Sequence, residues 1–313
     1  MAADGRAAKE VCAAMVAATA VPLMLNWTDF IKTRMQGVSA SGCTSLPYRG
    51  GFAAVAKRML AEDGIWALWC TGMLASLGRE CTTIGIRIGA YPAVRDALSL
   101  FGTGQIGGEA GVVSKLSAGL ILGALSGLLA SPFDFVRIRM QAEAGQVDSN
   151  RILTTGLRSG LPQQIRGTAH AFTLVMGDGG ALGIFHGSGV NVARSMCMTV
   201  GTVPVYEHSK HLAKTHLEVK DSPALHFGAG IVAGLVGTTV TAPADVVRTR
   251  IMQTGPSGVG ILGAMRDIMG DYGIRGFMRG WVPAYMRVGP LFLGMPALVE
   301  QVRKRVFGLD YIV

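Results

Sequence analysis

Six apolar stretches alternate with polar ones along the chain, at about 8–36, 74–101, 114–141, 188–212, 224–252 and 282–306. Each is about 20 residues or longer, enough helix to cross a lipid bilayer. Between the members of each pair lies a shorter polar segment, at 50–62, 167–176 and 258–270. In the first of these Phe52, Val55 and Met59 recur at helical spacing, which predicts a short amphipathic helix. A glycine-bearing corner follows each segment, at 63–72, 179–187 and 272–280. The pattern therefore reads long helix, short helix, long helix, three times over. It predicts one domain over 1–313, with repeats at about 8–105, 113–215 and 223–307.

One polar signature interrupts the odd-numbered long helices. It comprises Asp29, Lys32 and Arg34 in the first repeat, Asp134, Arg137 and Arg139 in the second, and Asp245, Arg248 and Arg250 in the third. The aspartates are 105 and then 111 residues apart, far longer than a solenoid unit, which points to a triplicated domain closing on itself. In each copy acid and base are three residues apart on one helical face. Charges inside apolar helices need partners or a watery cavity. A single copy could be an intrahelical pair with a snorkelling arginine. Three copies favour convergence, each acid meeting the base of the next helix in a ring that is closed when paired and open when parted. Pro132 and Pro243 are expected to kink their helices to allow it. Small residues four apart (Gly119, Gly123 and Gly127; Gly230 and Gly234; Ala14 and Ala18) predict close helix approach.

The even-numbered helices carry a second register. Arg79, Arg194 and Arg287 each precede one fixed position, held by Pro92, Glu207 and Glu300, by 13 residues. That spacing is about 20 Å of helix. No set of three acids matches the three arginines, and Glu80, next to Arg79, is expected to point about a hundred degrees away from it. Arg87 lies on the face of Arg79, with Thr83 between them. Each arginine alone could be satisfied by backbone carbonyls or lipid phosphate. Three in register favour a cavity whose guanidinium groups bind carboxylate, phosphate or sulfate oxygens.

Composition narrows the class. Half the residues are apolar, 16% are charged and 44 are glycine, at a mean hydropathy of +0.39, as in helical membrane proteins. A net charge of +9 points to anionic partners. Aromatic residues are only 7% and form no basic-aromatic platform, so no nucleic acid is expected. The five cysteines show neither disulfide nor metal-ligand spacing. The N-terminal stretch lacks the pattern of a cleaved signal and is expected to remain in the mature protein. With no nucleophile-base pair, metal cluster or cofactor loop, neither an enzyme nor a cofactor is expected.

The three signatures resemble the repeated motif of the mitochondrial carrier family along essentially the whole chain. That resemblance implies an all-α membrane protein: a barrel of six transmembrane helices in three pseudo-symmetric repeats, with short matrix-side helices, in the inner mitochondrial membrane. It implies alternating access between two gates and association with the anionic lipid cardiolipin. The matrix gate would pair Asp29 with Arg137, Asp134 with Arg248 and Asp245 with Lys32, braced by Gln36 and Gln141, with Met252 at the third bracing position. The cytosolic gate would comprise Tyr91, Arg95, Tyr206, Glu207, Lys210, Glu300 and Arg303. The even helices are most similar to the oxoglutarate, dicarboxylate and uncoupling-protein branch. This implies a substrate site of Arg79, Thr83, Arg87, Arg194, Ser195 and Arg287, and exchange of small anionic metabolites such as malate, oxoglutarate or phosphate. Uncoupling-type proton leak is an alternative reading. A structural subunit of a larger inner-membrane complex is another. The chain departs from the motif at Trp27, where proline is usual, and at Pro92, which removes an outer-gate acid and leaves Lys210 without its partner.

Overall fold

The computed structural model describes residues 2–37, 48, 50–91, 94, 97–98, 110–185, 187–216, 223–254, 260–288, 302 and 305. The first repeat contains α1 (Ala2–Ala18), α2 (Ala20–Gln36), α3 (Phe52–Cys70) and α4 (Met73–Ile84), followed by a π turn at Gly85–Gly89. The second contains α5 (Ala110–Leu129), α6 (Ser131–Glu143), α7 (Thr168–Gly183) and α8 (Ser188–His216). The third contains α9 (Pro223–Thr254), α10 (Ile261–Tyr272), a 3-10 turn at Ile274–Met278 and α11 (281–288). Among the described residues there is no strand. Two isolated antiparallel bridges, Val147 with Leu153 and Ile152 with Pro162, fold the segment after α6.

The helix breaks fall differently from the proline pattern. Helices α1 and α2 meet at a bend of 47°, at Thr19, whose hydroxyl and amide both donate to the Val16 carbonyl. Helices α5 and α6 meet at 54°. There Pro132 stands in the first turn of α6, where its missing N–H leaves no bond unmade. Helix α9 runs through Pro243 without a break. By length and apolarity α9 could cross a membrane alone, and each bent pair could do so as one span.

The three short helices do one job. Each buries a pair of small or apolar side chains four residues apart against the signature helix of its own repeat. Val55 and Met59 of α3 pack on Phe30 and Ile31. Ala171 packs with Val136, and Val175 with Phe135 and Ile138. Ala264 and Ile268 of α10 pack on Val246, Val247 and Ile251. Each large apolar side chain so buried contributes about 1.5–3 kcal/mol. The corners that follow turn sharply because both flanking glycines take positive φ: Gly64 and Gly72, Gly180 and Gly187, Gly273 and Gly280. Helix α8 packs along both α5 and α9. Gly127 makes the first approach possible, since a Cβ there would lie 3.0 Å from Ser195 Oγ and 3.2 Å from the Asn191 carbonyl. Gly201 and Gly237 face each other at the second.

Candidate functional site

The three signatures meet in the structure. Arg137 of α6 donates to Asp29 of α2 at 2.7 Å, Arg248 of α9 pairs with Asp134 of α6 at 2.5 Å, and Lys32 of α2 donates to Asp245 of α9 at 2.6 Å. The pairs close a cycle through three helices, and all three aspartates are at most 5% exposed. An intrahelical contact coexists with it, Arg137 lying 3.5 Å from Asp134. One turn further, glutamines tie the same helices together. The Thr33 hydroxyl donates to Gln141 Oε1 and the Thr249 hydroxyl to Gln36 Oε1, both at 2.8 Å. Met252 is fully buried among apolar side chains, while Gln253 Nε2 reaches the Thr33 carbonyl at 3.3 Å.

The second base of each signature turns outward from this ring. Arg34 pairs with Asp63 at 2.9 Å, meets the Tyr48 hydroxyl and donates to the Ala144 carbonyl at 2.5 Å. Arg250 pairs with Asp271, and Arg139 lies over the Phe135 ring. Spacing within the signature assigns these arginines no partner. The signal was present in Asp63 and Asp271, acids standing just before the glycine corners.

Next to the ring lies a cavity of about 300 Å³. Lys32, Arg79, Glu80, Thr83, Arg87, Arg194, Thr238, Thr241, Asp245 and Arg287 contribute to its wall. The arginines of all three repeats thus reach one space, but three of them are not free of acids as expected. Arg194 pairs with Asp245, Arg287 donates to Asp29 at 2.7 Å, and Arg79 lies 3.5 Å from Asp134. Each ring aspartate is therefore shared between a ring base and a cavity arginine. Glu80 does not point away: it pairs with Arg79 and also with Arg287. The expectation failed because side-chain rotation lets adjacent residues on a helix meet around a third group from another helix. Arg87, carried by the π turn, donates to the Thr199 hydroxyl at 3.0 Å. Among the described residues it has no carboxylate partner. Ser195 lies against Gly127 at the α5–α8 contact and is absent from the described cavity wall, where Thr238 and Thr241 stand instead.

Of the second predicted gate, Tyr91 follows the π turn and Tyr206 sits on α8, both half-buried. The side chains of Arg95, Glu207, Lys210, Glu300 and Arg303 lie outside the described residues, as does Pro92.

Three similar helical units thus meet in one ring of ion pairs beside a cavity lined by arginines. The Mitochondrial carrier protein family matches residues 4–101, 108–217 and 219–309, and the chain belongs to that family. Members of the family are transporters rather than enzymes. The chain is 27% identical to mitochondrial uncoupling protein 1 of Arabidopsis thaliana, over 90% of its own length and 88% of the relative's. It is 30% identical to the mitochondrial dicarboxylate transporter of Saccharomyces cerevisiae, over 81% and 80%. It is 26% identical to mitochondrial citrate transporter F of Aspergillus niger, over 88% and 83%. These relatives are named for different activities, so the relationship establishes a mitochondrial carrier without selecting its substrate.

Proposed function

We propose that this carrier exchanges small anionic metabolites, di- or ketocarboxylates, across the inner mitochondrial membrane by alternating access. The observation that carries the proposal is the convergence of Arg79, Arg87, Arg194 and Arg287 on one cavity beside the ion-pair ring. Buried guanidinium groups hold carboxylates through charge-assisted, often bidentate hydrogen bonds. In this reading Asp29, Asp134 and Asp245 with Lys32, Arg137 and Arg248 form the matrix gate, and Gln36 and Gln141 brace it. Tyr91, Arg95, Tyr206, Glu207, Lys210, Glu300 and Arg303 form the cytosolic gate, in a six-helix barrel seated in cardiolipin-containing membrane.

The shared aspartates supply the coupling. Arg194 and Arg287 tie α8 and α11 to the ring through Asp245 and Asp29. An anion that takes Arg194 releases its tie to Asp245, and the signature helices are then freer to part. The test is exchange in liposomes. Arg194→Ala is expected to reduce carboxylate exchange about 10- to 100-fold, the worth of one lost charged hydrogen-bond partner, while the protein still folds. Unchanged uptake would overturn the assignment.

The uncoupling-protein relatives support a second reading, proton leak, which shares the same arginines. Fatty-acid-stimulated proton conductance in liposomes lacking any exchange substrate would favour it.

A further inference from the structure

Glu80 has no acidic counterpart in the other repeats, where Ser195 and Val288 follow the arginine. It is 3% exposed, lines the cavity and pairs with Arg79 of the first repeat and Arg287 of the third. The other terminal nitrogen of Arg287 is held by Asp29 at 2.7 Å, and Nε of Arg79 faces Asp134 at 3.5 Å. Both guanidinium groups are therefore engaged by carboxylates of the chain itself.

The rest of the wall differs. Arg194 meets Asp245 through Nε, which leaves its terminal nitrogens to the cavity. Arg87 touches a hydroxyl but no carboxylate among the described residues, and lines the same cavity as Arg194. Thr238 is 2% exposed, lines the same cavity, and its hydroxyl has no hydrogen-bond partner among the described residues. A buried hydroxyl left in this way costs free energy until a ligand satisfies it. The cavity thus offers two under-used guanidinium groups and, among its threonines, the Thr238 hydroxyl, together with a pair of arginines already engaged by carboxylates.

We propose that Glu80 is a specificity-determining residue: it occupies the place of a second substrate carboxylate. The cavity then favours anions with one carboxylate and a carbonyl or hydroxyl, such as 2-oxo monocarboxylates, over dicarboxylates. The carboxylate is held by Arg87 and Arg194, and the oxo or hydroxyl group by Thr238. A second carboxylate brought to Arg79 and Arg287 meets Glu80, a like charge in a buried setting. To bind, it must displace Glu80 from both partners, and an uncompensated buried carboxylate is costly. The inference rests on the reading of this cavity as the transport site and narrows the carboxylate class proposed for it.

The experiment is uptake of radiolabelled pyruvate and malate into liposomes by wild type, Glu80→Gln and Glu80→Asp. Wild type is expected to prefer pyruvate. In Glu80→Gln the KM for malate is expected to fall about tenfold, the worth of an added charged pairing, with the KM for pyruvate little changed. Glu80→Asp, which keeps the charge, should retain the wild-type ratio. A merely structural role would alter both substrates together. Equal pyruvate-to-malate ratios in wild type and Glu80→Gln, or a wild type that prefers malate, would overturn the proposal. Uptake of neither anion by either protein would overturn the carboxylate site itself. Should Glu80→Gln fail to fold, the ranking in wild type alone decides: pyruvate must raise the melting temperature more than malate at equal concentration, and the reverse order refutes the inference.

Discussion

Asp134→Asn removes one charge from the most connected acid of the ring. Asp134 is 2% exposed and faces Arg248 at 2.5 Å, Arg137 and Arg79 at 3.5 Å, and the Asn191 amide at 3.1 Å. After the substitution Arg137 keeps Asp29 and Arg79 keeps Glu80. Arg248 has no other ion pair among the described residues, so one buried guanidinium is orphaned. Breaking a buried pair from one side costs about 3–5 kcal/mol. At about 2–4 °C per kcal/mol for a chain of this order, the melting temperature should fall by about 6–20 °C. The assay is thermal unfolding of the purified protein in cardiolipin-containing detergent. The double variant Asp134→Leu with Arg248→Met removes both charges and leaves nothing orphaned, so it should recover most of the loss. A single variant melting within about 2 °C of wild type, or a double variant melting below the single one, would refute the argument that Asp134 is held by an otherwise unpaired Arg248.

Two further outcomes are expected. At Gly127 an added Cβ meets Ser195 Oγ at 3.0 Å and backbone atoms of Asn191 and Val192 at 3.2 and 3.3 Å, which cannot yield as a flexible side chain would. Gly127→Ala should therefore cost about 1–3 kcal/mol by overpacking, whereas Gly167→Ala, with nothing within 4 Å, should stay within about 0.5 kcal/mol of wild type; equal melting of the two would count against the close α5–α8 approach. Burial pushes the Glu62 carboxyl up, but hydrogen bonds from the Tyr48 hydroxyl and Arg58 outweigh it and hold the group below its usual value of 4.5. Its contribution to stability is thus present above pH 4.5 and is lost as pH falls through the depressed folded value. Glu62→Gln should flatten the acid side of the stability profile, and an unchanged profile below pH 4.5 would contradict the shift.

Much of the ring was legible in the chain. Asp29, Asp134 and Asp245 recur in one register with their bases, and an acid and a base three residues apart on three apolar helices have few inexpensive arrangements. The short helices were legible for a similar reason: apolar spacing at Val55 and Met59 specifies which face is buried. The helix breaks were not. Pro132 and Pro243 occupy equivalent signature positions, yet α9 passes through Pro243 while the second repeat breaks beside Pro132. Trp27 replaces the proline in the first repeat, where the chain bends instead at Thr19. Proline removes one donor, but whether the helix continues depends on what its neighbours pack against.

The cavity shows the same division more sharply. Sequence alone determined that Arg79, Arg194 and Arg287 stand in equivalent places, because a helical repeat converts residue spacing into depth. It also determined that Ser195, Val288 and Glu80 differ at the following position. Only the tertiary structure decided that each arginine shares a ring aspartate, that Glu80 spans two repeats to reach Arg287, and that, among the described residues, Arg87 meets a hydroxyl rather than a carboxylate and the Thr238 hydroxyl meets no partner. Spacing sets where a side chain starts along its own helix. Which charge it meets depends on rotamers and on the rotation of helices hundreds of residues apart, and the cost of leaving buried charges unpaired resolves these together.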